Sequence, residues 1–154
     1  MHDSTLLQLR LEWKNGDAVR VGREILAALA PAAQVERAAS ILDLCRQKWT
    51  PVPAVDAVAS LARNPSRWRE GHDHFSAVRA LTLVEEKRRT NDVYYSLLFV
   101  AENTAKTIYN ATPTMAPFDE DSPWWLAANA LDMASKVKDA RFEEQLWRAL
   151  TGQS

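Results

Sequence analysis

Tyr95, Phe99, Glu102, Asn103, Lys106, Tyr109 and Asn110 recur at spacings of three and four. On a helix, at about 100° per residue, they share one face. A merely solvated face would not ordinarily carry three aromatics, and a merely buried one would not carry Glu, Lys and two Asn. Buried polar groups need hydrogen-bond partners, so this face calls for either a ligand or the polypeptide that follows it. In the first case Tyr95, Phe99, Glu102, Asn103, Lys106 and Asn110 line a cleft. In the second, Glu102 and Lys106 form an i,i+4 ion pair worth a few tenths of a kcal/mol, and the two Asn side chains tie down the next loop.

That loop, residues 111–122, contains Met115-Ala116-Pro117-Phe118 and then Asp119-Glu120-Asp121, three acids with no base. Ser122-Pro123-Trp124-Trp125 follows. Residues 101–154 hold 5 basic and 8 acidic side chains, whereas residues 1–100 hold 14 basic and 12 acidic. Acids beside aromatics suit a protein-binding epitope: Phe118 and one of Trp124 and Trp125 anchor, while Asp119, Glu120 and Asp121 steer a basic partner. The alternative is local. The acids then favour the start of the next helix and the tryptophans pack inside. Adjacent helical positions point about 100° apart, so one Trp is expected buried and the other partly open.

Other chemistries have weaker signatures. Glu70, His72 and His74 are of metal-ligating types, but on a helix positions 72 and 74 lie about 200° apart and do not face one ion. No metal is expected there. Cys45 lies in an apolar stripe and is expected to be inert; one cysteine also excludes an internal disulfide. There is no Gly-rich phosphate loop, and no cofactor is expected. Glu102, Asp119 and Asp121 could supply a general acid and base, but carboxylates alone do not define a reaction. Arg63, Arg67, Arg69, Arg79 and Lys87-Arg88-Arg89, with Trp68 among them, are interleaved with Glu70, Asp73, Glu85 and Glu86. With a net charge of −1 overall, a mixed solvated face is expected rather than a nucleic-acid surface.

These groups must be held by helices. The chain has 154 residues, 47% hydrophobic and 25% charged, with 4 glycines, and its apolar positions recur at helical spacing. An all-α domain of about seven helices is expected, as a single bundle or a short irregular array of antiparallel hairpins. A first helix runs to Lys14, stopped by Asn15-Gly16. Asp17 caps the next, and Pro31 opens a third that ends near Trp49. Thr50-Pro51-Val52-Pro53 makes a stiff corner. Helices follow over about 54–63 and 73–89, the latter capped by Asp73 and ending in basic residues. Asn91-Asp92 caps the helix over 92–110. On it Tyr94, Leu97, Leu98, Ala101, Ala105 and Ile108 form the core stripe. Ser96, Val100, Thr104 and Thr107 form a small-residue face, so this helix is expected to be central. Ser122 caps a helix over 124–138, and Asp139 restarts the chain to Leu150. No internal repeat or domain linker is seen. No apolar run approaches the roughly 18 residues of a membrane span, and from the polar start Met1-His2-Asp3-Ser4 no secretory signal is expected. A cytoplasmic protein is expected.

The run Ala101-Glu102-Asn103-Thr104-Ala105-Lys106, then Tyr109-Asn110-Ala111, Ala116-Pro117-Phe118-Asp119, Asp121 and Trp124-Trp125, resembles a pattern in small uncharacterised bacterial helical proteins. The likeness covers roughly residues 95–126. It implies a bacterial source and a compact helical domain and assigns no catalytic residue. By analogy of class, small acidic-faced helical domains are similar to immunity proteins that neutralise a toxin domain. The expected function is therefore protein binding, through occlusion of a toxin's basic surface. The alternative is a small-molecule pocket or enzyme beside residues 92–110.

Overall fold

The computed structural model describes residues 2–88, 92–113 and 116–153. Arg89, Asn91 and Met115, assigned above to helix ends and the loop, lie outside them. Among the described residues the chain is all-α: α1 (Asp3–Lys14), α2 (Ala18–Leu26), α3 (Pro31–Arg46), α4 (Pro53–Ala62), a 3-10 segment (Pro65–Glu70), α5 (Gly71–Arg88), α6 (Asp92–Asn110), α7 (Ser122–Val137) and α8 (Ala140–Thr151).

Local chemistry sets most of these ends. Gly16 takes φ +97° just past α1, a conformation that costs glycine little. Pro31 and Pro53 sit in the first turns of α3 and α4, where a missing N–H is tolerated. Lys138, at φ 57°, ends α7 in the left-handed region. The Asp139 carboxylate then accepts hydrogen bonds from the Arg141 and Phe142 amides at 2.9 and 3.4 Å, so α8 begins as a separate helix. Besides α3, which ends at Arg46 rather than near Trp49, three helix starts differ from expectation. The Asp17 carboxylate turns to Arg20 at 2.6 Å instead of capping α2. The 3-10 segment runs straight into α5 at Gly71, so Asp73 lies within the first turn of that helix rather than at its cap. Ser122 is the first residue of α7; its hydroxyl donates back to the Asp119 carbonyl at 2.8 Å.

The helices form two layers. In one, α2, α7, α6 and α5 lie side by side; in the other, α8, α3 and α4 pack across them, with α1 against α2 and α7. The central position of α6 follows from its sequence. Its apolar stripe (Leu97, Leu98, Ala101, Ala105, Ile108) and its small-residue face (Ser96, Val100, Thr104, Thr107) are both buried. Trp13, fully buried, fastens α1 to the far side. Its indole N–H donates to the Ala127 carbonyl at 2.7 Å, and its ring lies 5.2 Å from that of Trp147.

Two glycines permit close helix approaches. A Cβ on Gly22 would stand 2.5 Å from the Trp124 carbonyl oxygen and 2.9 Å from Ala127 Cβ, so α2 lies directly against the α7 backbone. A Cβ on Gly71 would stand 2.8 Å from the Ala105 oxygen, which seats the start of α5 on α6. Replacing Gly22 by Ala adds roughly 1 kcal/mol of helix propensity but forces a methyl against backbone, which costs about 1–3 kcal/mol. The Gly22→Ala protein should therefore be less stable in urea denaturation. A variant as stable as the parent would mean that the α2–α7 approach is loose.

Candidate functional site

Three helices and one loop enclose a cleft of about 700 Å³. The spacing of its lining residues shows how each element contributes. Phe75 and Arg79 come from α5, one turn apart. Phe99, Glu102, Asn103 and Lys106 come from the polar-aromatic face of α6. Trp125, Ala128, Asn129 and Asp132 come from one stripe of α7, and Asp119, Asp121 and Ser122 from the end of the loop and the start of that helix.

Glu102 is 4% exposed. Its Oε1 lies 3.6 Å from Arg79 Nη1, a long contact to a guanidinium that is itself 40% exposed. Its Oε2 is buried and has no hydrogen-bond partner. The expected Glu102–Lys106 ion pair is not formed. Lys106 leans toward the loop instead: its ammonium lies 4.9 Å from the Phe75 ring centre, 5.8 Å from that of Phe118 and 4.0 Å from Asp119 Oδ2. Two aromatic faces and a carboxylate draw a cation that way, and the α5 guanidinium takes its place beside Glu102.

The two asparagines part company. Asn110 holds the loop: its side-chain oxygen accepts from the Phe118 amide at 2.8 Å, and its Nδ2 donates to the Asp119 carbonyl at 3.2 Å. Asn103 instead donates to Asn129 Oδ1 at 2.7 Å, joining α6 to α7. Phe118 completes the latch. Its ring stacks on His72 at 5.0 Å and meets Phe75 and Tyr109 edge-on at 4.9 and 5.3 Å. Phe118 thus faces inward. Tyr95 packs edge-on against Phe99 at 4.8 Å and lies outside the cleft lining.

Along the rim the charges are open. Glu120 and Asp121 are exposed and the Asp119 side chain is 80% exposed. Trp124 is half-buried, whereas Trp125 is 44% exposed, with its indole N–H 3.1 Å from Asp121 Oδ2. At the other end, Lys136 donates to Ser96 Oγ at 2.8 Å and to Asp132 Oδ2 at 3.0 Å, and Ser96 donates to the same carboxylate oxygen at 2.8 Å. No local sequence pattern reports this cluster, which spans 40 residues of chain.

The remaining candidates lie elsewhere. His72 stacks on Phe118, while His74 points to Glu70 at 4.0 Å. Among the described residues, no three metal-ligating side chains gather. Cys45 is fully buried, and burial pushes its thiol pKa up, which keeps it protonated and unreactive. Several basic residues of the middle segment are held in ion pairs: Arg63 with Asp43, and Arg67 with Glu70 at 2.7 Å. Trp68 donates to the Ala62 carbonyl at 3.3 Å. Among the described residues, no helix is long and apolar enough to cross a membrane.

No family model, curated protein or solved structure matches this chain. The functional reading rests on the site itself.

Asn110→Ala removes both side-chain bonds to the loop. We expect a loss of about 1–2 kcal/mol and faster amide exchange at Phe118. Unchanged exchange would show that the Phe118 ring holds the loop alone.

Proposed function

We propose that this chain binds a small organic molecule in the cleft between α5, α6 and α7. One observation carries the reading: a cleft of about 700 Å³ in which aromatic side chains and convergent polar groups share one surface. Ligand sites are typically concavities of roughly 300–1,000 Å³ with apolar walls and a few placed polar groups. Phe75, Phe99 and Trp125 supply the apolar contact. Glu102, Arg79, Lys106 and Asn129 supply orientation. Asp119, Asp121 and Ser122, next to the Phe118 that Asn110 holds, form one wall.

A second reading is favoured by the rim. Asp119, Glu120 and Asp121 are exposed, next to a Trp125 that is 44% exposed. That grouping supports docking of a basic protein partner, as for a cytoplasmic bacterial immunity or antitoxin-like protein facing a toxin domain. Trp125 would anchor and the three acids would steer. Phe118, turned inward, would shape the loop rather than touch the partner.

One pair of variants separates the readings. Ala128→Phe places a ring into the cleft from a half-buried position, while Asp119/Glu120/Asp121→Lys reverses the rim. In a ligand screen read by melting temperature, compounds that stabilise the parent should lose their effect with Ala128→Phe. The rim variant should weaken capture of a basic partner protein. Hits that stabilise Ala128→Phe as well as the parent would remove the cleft reading.

A further inference from the structure

We infer that the ligand group received at Glu102 is a cationic nitrogen, an ammonium or amidinium that donates to the Glu102 carboxylate while its organic part lies against Phe99 and Trp125. This rests on the cleft reading above and names the ligand class.

Three observations converge. Glu102 is 4% exposed and lines the cleft; its Oε2, closed to solvent, has no hydrogen-bond partner, and its Oε1 has only the long 3.6 Å contact to Arg79. A carboxylate oxygen only accepts, so whatever completes it must donate, and charged donors make the stronger bond. Second, the cleft surface is biased toward anions. Glu102, Asp119, Asp121 and Asp132 line it against Arg79 and Lys106, and adding Lys136 beside Asp132 still leaves one carboxylate in excess. Third, aromatic walls favour a cation, because the ring face carries negative potential.

The two cations of the lining do not reverse this. Lys106 is directed to the Phe75 and Phe118 rings and to Asp119. Arg79 approaches only Oε1, at 3.6 Å, and leaves Oε2 unpartnered. An anionic ligand group at the same spot would sit against a buried carboxylate. The nitrogen can belong to a free organic amine or to a lysine side chain of a peptide, and the chemistry at Glu102 is the same for both.

The test is titration of the full chain followed by NMR at the Trp125 indole N–H and the Glu102 side-chain carboxyl carbon. Four probes are used: 2-phenylethylammonium, 2-phenylethanol, 3-phenylpropanoate, and the capped peptide acetyl-Gly-Lys-Gly-amide. We expect the ammonium to bind at least tenfold more tightly than the alcohol or the carboxylate and to move both signals. Glu102→Gln should lose at least tenfold of that affinity. Asp121→Asn, at an exposed rim position, should keep the fold and lose less. Comparable binding of the lysine peptide supports a side-chain source, and binding of the free amine alone supports a small-molecule source.

Preference for 3-phenylpropanoate or the alcohol would overturn the inference and leave the cleft reading standing. Unchanged ammonium affinity in Glu102→Gln would do the same. If that variant melts early, the wild-type Glu102 carboxyl signal decides, and its failure to move under saturating ammonium overturns the inference. No binding by any probe would overturn both.

Discussion

A carboxylate taken out of water in the middle of a core helix sets the terms for everything around it. Burying an ionised group is costly unless it is paired and hydrogen-bonded. Glu102 sits on α6, which packs against α3, α4, α5 and α7, and its side chain lines the cleft. One oxygen meets Arg79 at long range and the other meets no protein donor. Removing one partner of a buried ion pair commonly costs about 3–5 kcal/mol. A structure that leaves such a group half-partnered retains an unsatisfied acceptor at the wall of a shaped concavity.

The rest of the architecture keeps that concavity open. Gly22 lets α2 lie close on α7, and Gly71 seats α5 on α6. The Asn103–Asn129 bond and the Ser96–Asp132–Lys136 cluster join α6 to α7 at two levels. Asn110 and Phe118 hold the loop across the remaining side. On the far faces of α6, Leu98, Val100, Ala101, Ala105 and Ile108 are fully buried.

Much of this was legible in the sequence, for a physical reason. Helical periodicity reports which residues share a face, so the three faces of α6 and its central place could be read directly. The loop's attachment through Asn110 was legible because a polar side chain at a helix end has few other partners. The restart at Asp139 carried a capping residue. The contacts that were not legible come from neighbours whose register no local pattern reports. Arg79 reaches Glu102 from α5, and Lys136 reaches Ser96 from 40 residues away. The Glu102–Lys106 pair was expected from spacing alone. It failed because two aromatic rings and a loop carboxylate, all brought by tertiary packing, compete for the lysine. Phe118, an exposed anchor by sequence, turns inward because His72, Phe75 and Tyr109 meet beneath it.

Whether Arg79 satisfies the buried Glu102 carboxylate is measured most directly by a double-mutant cycle. Stabilities of the parent, Arg79→Ala, Glu102→Gln and the double variant would be obtained by urea denaturation. A long contact to a half-exposed guanidinium predicts a coupling below about 1 kcal/mol, in the range of exposed pairs. A coupling of about 3 kcal/mol or more, typical of a closed buried pair, would mean that Arg79 fully satisfies Glu102. The acceptor would then not be available to a ligand.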